Sequence, residues 1–157
     1  MHVSRTKGRV AKIVVGALVA AVATGGVAAV RGLAAAPGDA PVADAARIGD
    51  LHAVRALLQQ GADVNAAHGD GMSALHWAAE RGDAEMVAAL VQAGAAGDAV
   101  TRIGHYTPLH VASTGGHAKV IERLVEAGGD VSAATSNSGA TPLHLAAAAG
   151  SAAAVAA

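Results

Sequence analysis

The residues most able to do chemistry in this sequence are its histidines, of which there are eight in 157 residues. Three of them, His76, His110 and His144, each follow a serine or threonine by three positions. A hydroxyl beside an imidazole could act as a nucleophile with its general base, and clustered imidazoles could bind zinc. The spacing between the three histidines decides between these uses and a structural role.

The three histidines are 34 residues apart, within the gapless alignment of "SALHWAAERGD", "TPLHVASTGGH" and "TPLHLAAAAGS". A fixed period of this length indicates stacked repeats. Stacked helices lie ~10 Å apart, whereas zinc–nitrogen bonds are ~2.0–2.1 Å long, so the three rings cannot share one zinc ion. A catalytic group is needed once, but a structural link is needed in every unit. We therefore predict that each ring links its turn to the backbone of the adjacent repeat, with the Ser/Thr hydroxyl as its local partner.

Apart from His2 near the N-terminus, the remaining four histidines do not follow the period; they are His52, His68, His105 and His117. No carboxylate can be assigned to support a metal site built from them. The sequence contains no Gly-x-Ser-x-Gly, phosphate-binding glycine loop or His-Glu-x-x-His motif, and it has no cysteine. The sequence thus predicts a protein that is not an enzyme and that uses neither a metal nor another cofactor.

Composition narrows the fold class. Hydrophobic residues make up 53% of the chain, aromatic residues only 1%, and alanine occupies 44 positions. Alanine is the strongest helix former, whereas a large sheet would need β-branched and aromatic residues. The composition therefore favours short, closely packed helices.

Charge is distributed unevenly along the chain. Residues 1–36 carry five basic residues and no acid, and residues 37–157 carry the other 6 basic residues and all 12 acids, a net charge of −6. Nucleic-acid binding depends on neutralising phosphates with basic side chains. The charge of residues 37–157 therefore argues against a nucleic-acid partner.

The residues around each histidine predict a pair of helices. Serine or threonine caps the first helix, Pro108 and Pro142 occupy its first position, and a glycine ends it. A second helix then follows with an apolar stripe, and it ends at Gly61, Gly94 or Gly128. Because one helix pair cannot bury its own stripe, neighbouring pairs must stack.

These patterns resemble the ankyrin-repeat family. The resemblance rests on T-P-L-H-x-A and on "GADVNA" at Gly61–Ala66, and it covers residues 43–157. It implies an all-α solenoid of ankyrin repeats with units at about 43–66, 67–99, 100–133 and 134–157. The motif residues are Ser73, Leu75, His76, Thr107, Pro108, Leu109, His110, Thr141, Pro142, Leu143 and His144. The last unit ends in "GSAAAVAA" without a closing repeat, so we expect the sequence to be C-terminally truncated.

The resemblance also implies where a partner protein would bind. Ankyrin partners usually contact the finger-like turns and the exposed side of the first helices, the concave face. The matching positions here are His68, Asp70, Met72, Glu80, Arg81, Arg102, Ile103, His105, Tyr106, Thr114, Asn137 and Ser138. Tyr106 could anchor an interface or pack over its own turn. Two functions stay open: a protein-binding module, or a structural spacer in a longer chain whose active part is missing.

The first 36 residues resemble an export segment, an N-terminal apolar helix. Basic residues precede eighteen uncharged, mostly apolar residues at 13–30, which is the pattern of a signal peptide or of one membrane anchor. A buried core helix is the third possibility. On the first two, residues 37–42 are a linker and the repeats of a bacterial protein lie outside the cytoplasm. The protein would be periplasmic or extracellular if cleaved, and would touch the membrane only through residues 13–30 if uncleaved.

Overall fold

The computed structural model describes residues 39–157, and within this range it contains eight α-helices and no strand. The predicted export segment at 1–36 lies outside the described residues. In chain order the helices are α1 (Pro41–Ile48), α2 (Leu51–Gln59), α3 (Ala74–Arg81), α4 (Ala84–Gln92), α5 (Pro108–Thr114), α6 (Ala118–Glu126), α7 (Pro142–Ala148) and α8 (Ala152–Ala156).

The helices form two layers. Helices α1, α3, α5 and α7 pack side by side in one layer, and each also packs against the helix that follows it in the chain. Helices α4, α6 and α8 pack in a row and form the second layer. The helix pairs therefore stack in sequence order, which confirms the predicted all-α class.

Local signals fix where the helices begin and end. The Thr107 hydroxyl caps α5 by accepting from the His110 amide at 3.3 Å, and Pro108 occupies the first turn. The second helix of a pair starts at an aspartate in two units, as in α4, where the Asp83 carboxylate accepts from Met86 N at 2.9 Å. Gly82 ends α3 in the left-handed region at φ 70°, where glycine has no steric penalty.

The core lies between the two layers and consists of aliphatic and small side chains. Leu75 and Leu109 of the first layer, and Met86, Leu90 and Leu124 of the second, are almost fully buried. The alanines that the first-layer helices bury are small enough for neighbouring helices to approach closely. They are Ala43, Ala45, Ala46, Ala74, Ala78, Ala79, Ala112 and Ala146.

The "GADVNA" segment adds a contact between the first two units. Asn65 Oδ1 accepts from Ala96 N at 2.8 Å, and Asn65 Nδ2 donates to Gly94 O at 3.3 Å. The equivalent positions in the next two units are Asp98 and Ser132. An ionised aspartate cannot donate, so the altered tail at Asp98 cannot make the same pair of hydrogen bonds.

The linker predicted at 37–42 is wrong at its C-terminal end. Helix α1 begins at Pro41, and Ala40 and Val42 are buried to 2% and 0% exposure. Proline is accepted in the first turn of a helix because the missing N–H would have no partner there. Proline at position 41 therefore starts the first repeat instead of separating it from the preceding segment.

Two further features concern surfaces. At the α7–α8 end of the stack, Leu143 and Val155 are 56% and 45% exposed. A groove of about 210 Å³ lies beside them, with Leu109, Ile121 and Pro142 in its wall. Within residues 39–157 no helix has the length and apolar character needed to cross a membrane.

The placement of Val42 gives a stability test. Val42→Ala should lower the free energy of unfolding by about 1–3 kcal/mol, because it removes fully buried apolar surface. Val100→Ala is the matched control, since Val100 is 47% exposed, and it should change stability by less than ~0.5 kcal/mol. Denaturant unfolding of the full chain measures both. Equal losses in the two variants would show that residues 41–42 are not part of the packed repeat.

Candidate protein-binding face

The His76 imidazole is a buried polar group behind the predicted partner-binding face, which consists of the finger-like turns and the exposed side of the first-layer helices. The Ser73 hydroxyl lies 2.9 Å from His76 Nδ1, and the Ser73 amide donates to the same nitrogen at 3.3 Å. Because an amide N–H can only donate, Nδ1 must accept and the ring proton sits on Nε2. Nε2–H then donates to the Tyr106 carbonyl in the next unit, at 3.0 Å. The ring thus joins two repeats.

His110 repeats this geometry one unit later. Its Nδ1 lies 2.8 Å from the Thr107 hydroxyl and accepts from the Thr107 amide at 3.2 Å. Its Nε2 lies 3.2 Å from the Ala140 carbonyl. His144 keeps the local half, with Nδ1 2.8 Å from the Thr141 hydroxyl, but its ring is exposed. Within residues 39–157 two of the three rings therefore connect successive units.

Burial is the main influence on the titration of the two connecting rings. It lowers the pKa of His76, against the opposing effects of the Tyr106 carbonyl and the Asp70 charge. It also lowers the pKa of His110, against the opposing Ala140 and Ala133 carbonyls and Asp130. Both shifts favour the neutral ring, which is the form that the hydrogen bonds require.

The turns between the helix pairs form the rim of the face. We call residues 67–73 finger 2, residues 100–107 finger 3 and residues 134–141 finger 4. Finger 2 closes through His68 N–Met72 O at 3.0 Å, whereas finger 3 closes through Thr101 N–Tyr106 O at 3.0 Å and is one residue longer. The extra residue seen in the sequence therefore lies in the tip of the finger.

Two threonines that the sequence reasoning missed support the longer tips. Thr101 Oγ1 accepts from Tyr106 N at 3.0 Å and donates to Ile103 O at 2.9 Å. Thr135 Oγ1 accepts from Ala140 N at 3.0 Å. Both side chains are buried. A signal for them was present, since the two threonines are also 34 residues apart, each six positions before a T-P-L-H threonine.

Backbone hydrogen bonds connect each finger to the next. Arg102 N donates to Asp70 O at 2.8 Å, and Ser136 N donates to Gly104 O at 3.0 Å. Gly71 permits the first of these contacts. Its φ is +87°, and a Cβ there would lie 2.9 Å from Arg102 N. The fingers thus approach at backbone distance.

The structure brings four of the predicted contact residues into one groove. Asp70 and Met72 of finger 2 and Ile103 and Tyr106 of finger 3 line a groove of about 280 Å³, together with Thr101 and Val111. The Tyr106 ring lies edge-on to His110, with ring centroids 5.9 Å apart, and a Cβ on Gly104 would touch it. Tyr106 therefore packs over its own turn and also lines the groove.

The other eight predicted contact residues do not line this groove. Of all twelve predicted contact residues, nine are exposed and three are half-buried. The exposed residues are Asp70, Glu80, Arg81, Arg102, Ile103, His105, Thr114, Asn137 and Ser138, and the half-buried ones are His68, Met72 and Tyr106.

His68 is held by its neighbours. Its Nδ1 accepts from Trp77 Nε1 at 3.2 Å, and its Nε2 lies 3.2 Å from Asp44 Oδ1 of α1. Because the indole N–H can only donate, a neutral His68 carries its proton on Nε2 and donates it to the carboxylate. The half-buried Trp77 thus contributes both to the core boundary and to the position of finger 2.

Several residues near the ends of the first-layer helices also make contacts between or within units. Arg81 Nη1 donates to Arg47 O at 3.4 Å, and His117 Nε2 donates to Glu80 O at 3.0 Å. The Thr114 hydroxyl donates to His110 O at 3.0 Å within α5. The contacts of Arg81 and His117 hold neighbouring helix ends together at the side of the face away from the fingers.

A model of the ankyrin-repeat family matches residues 17–101, 42–135 and 96–157 of the chain. The chain belongs to the ankyrin-repeat family. Ankyrin repeats generally serve as protein–protein interaction modules, and the finger groove lies on the face that the resemblance assigns to partners. A comparison with curated proteins gave no match.

The histidines behind this ankyrin face are engaged in hydrogen bonds within the fold. Within residues 39–157 no group of three or more His, Asp or Glu side chains is arranged to hold a metal ion. The Nδ1 atoms of His76 and His110 accept hydrogen bonds from their own caps, and each Nε2–H meets a backbone carbonyl. Both nitrogens of each ring are therefore occupied by structural hydrogen bonds.

The buried imidazoles predict acid sensitivity. An unfolded chain takes up histidine protons near pH ~6.5, but His76 and His110 of the folded repeats do so only at lower pH. The unfolded state therefore binds more protons in that interval, and the free energy of unfolding should fall as pH drops below ~6.5 towards the lowered pKa values. Denaturant unfolding of the full chain between pH 7.5 and 5.0 measures this.

Variants separate the histidine contribution. His76→Gln should lower stability at pH 7.5 by about 1–3 kcal/mol, since it disrupts a buried hydrogen-bonded group, and it should flatten the pH profile. His52→Gln removes an exposed histidine of α2 and should leave the profile as in wild type. A wild-type profile that is level through this range would contradict the assignment.

A glycine pair tests the close approach of the fingers. Gly71→Ala and Gly61→Ala both place a side chain at positive φ, at a cost of about 1–2 kcal/mol each. Only Gly71 has a neighbouring backbone in the way, since Gly61 has no atom within 4 Å of its added Cβ. Gly71→Ala should therefore be the more destabilising. It should also speed hydrogen exchange of the Arg102 amide, which Gly61→Ala should not. The same exchange rate in both variants would refute the contact.

Proposed function

We propose that this protein is a non-catalytic binding module that holds another protein against the fingers and the exposed side of its first-layer helices. The observation that carries the proposal is the groove between fingers 2 and 3. Ile103, at its edge, is 84% exposed, and a large aliphatic side chain so placed beside an aromatic ring is typical of an interface anchor.

The groove is held in shape before any partner arrives. Tyr106 has its carbonyl bonded by His76 and its amide bonded by the Thr101 hydroxyl. Finger 3 is joined to finger 2 through Arg102 N and Asp70 O. A preformed surface loses little conformational freedom on binding, so more of the contact energy is expressed as affinity. This rigidity favours a binding role for the fingers.

The second candidate is a structural spacer within a longer chain. The exposed Leu143 and Val155 at the α7–α8 end favour it, since apolar surface of this kind is suited to further stacking. It differs from the first candidate in what it requires of the fingers. A spacer needs further repeats to cover the α7–α8 end of the stack and makes no use of the fingers. A binding module needs the groove between the fingers.

We further propose that the repeats lie outside the cytoplasm of a bacterial cell. The support is the order of basic and then apolar residues within 1–36. The N-terminal residue of the protein isolated from cells tests the form of export. A protein beginning after the apolar run would be a cleaved, periplasmic or extracellular form, and one that keeps residues 13–30 would be anchored.

Site-directed cross-linking tests the binding proposal. A photoreactive amino acid at position 103 of the full chain should yield a covalent product with another protein in the native host. The same group at Glu122, an exposed position of the second-layer helix α6, serves as the control and should not yield it. Arg102→Ala combined with Tyr106→Ala should reduce the product severalfold. Equal products from positions 103 and 122, or none from 103, would refute the proposal.

A further inference from the structure

The groove between fingers 2 and 3 has a definite size and lining. Its volume is about 280 Å³, and its apolar wall consists of Met72, Ile103, Tyr106 and Val111. Pockets for whole small molecules usually measure about 300–1,000 Å³. A surface groove at the lower limit of that range suits one large side chain of a protein partner better than a cofactor.

The polar part of the lining has one sign of charge. Asp70 is the one charged residue among those that line the groove. The other polar groups of the lining, the hydroxyls of Thr101 and Tyr106, are neutral. Asp70 Oδ1 accepts from Met72 N at 2.9 Å, and no salt bridge joins Asp70 to another of residues 39–157. Arg102 lies on finger 3 but does not line the groove. The carboxylate therefore has no cationic partner among residues 39–157 and offers a negative charge at an apolar groove.

The surroundings reinforce this sign. The described residues 39–157 contain 12 acidic and 6 basic side chains, a net charge of −6. Acidic ligands would therefore meet a repulsive field on approach, whereas basic segments would be attracted. The local carboxylate and the overall charge both favour a basic group in the partner.

We infer that the groove receives a large aliphatic side chain of a partner protein that has a lysine or arginine beside it in sequence, and that this basic residue pairs with Asp70. The aliphatic side chain fills the space between Met72, Tyr106 and Val111, while Ile103 covers it from finger 3. The inference rests on the proposed binding function and adds the chemistry of the partner segment.

Selection from random peptides tests the inference without knowledge of the natural partner. Phage-displayed heptapeptides selected on the immobilised full chain should be enriched in Leu, Ile or Met next to Lys or Arg. In fluorescence anisotropy with one selected peptide, replacing its aliphatic residue by alanine should weaken binding about ten-fold or more. Replacing its basic residue should weaken binding by up to about five-fold, as expected for a partly exposed ion pair.

Asp70→Asn provides the decisive variant, because asparagine keeps the oxygen that accepts from Met72 N. In this variant the basic residue of the peptide should no longer matter, while the aliphatic residue should keep its full effect. Asp63→Asn is the matched control. Asp63 Oδ1 accepts from Asn65 N at 2.8 Å in a similar turn, away from the groove. This variant should bind the selected peptide and its substituted forms as wild type does.

Three outcomes would overturn the inference. Selected peptides could lack basic residues, Asp70→Asn could still respond to the basic residue, or the position-103 cross-link could join two copies of this chain. Cross-linking to a different protein, combined with peptides that lack basic residues, would refute the charge pairing and leave the proposed function standing. Failure of the position-103 cross-link would refute the proposed function and, with it, the inference.

Discussion

The hydrogen bond from the histidine Nε2–H to a carbonyl in the next finger is the contact on which the rest of the structure depends. The ring can also accept from its own cap at Nδ1 only while it is neutral, and burial favours that form. The carbonyl that His76 holds belongs to Tyr106, whose ring lines the groove. The same bond therefore joins the repeats and positions the surface that we assign to a partner, so stability and recognition are coupled through one residue.

The period of 34 residues governs more than the helices. Thr101 and Thr135, the acceptors Asp70 O and Gly104 O, and the donors Arg102 N and Ser136 N are each separated by it. The inserted residue in fingers 3 and 4 could have left backbone groups without partners. Instead the threonine hydroxyl supplies the missing partner in each finger, which is why the insertion lengthens the tip without disturbing the register between units.

Much of the fold could be predicted from the sequence, because its determinants are local. The caps, the proline at the first helical position and the glycine stops act within a few residues, and the T-P-L-H motif repeats them. Residues 41 and 42 are predicted as linker because proline occurs both in linkers and in the first turn of helices, and only the burial of Val42 distinguishes the two. The His68–Trp77–Asp44 contacts and the composition of the groove depend on residues from separate units. Their proximity is set by packing distances that the sequence does not state.

The finger-to-finger hydrogen bonds use only main-chain atoms. No side chain contributes to Arg102 N–Asp70 O or to Ser136 N–Gly104 O, so the distance between neighbouring fingertips does not depend on their exposed residues, provided that Gly71 and the buried Thr101 and Thr135 are kept. Met72, Ile103 and Asn137 can therefore be exchanged without altering the spacing of the subsites. The scaffold fixes the spacing of the fingers, while the side chains exposed on them can vary. Substitutions on the fingers, in evolution or by design, can therefore change the partner that we propose without changing the scaffold.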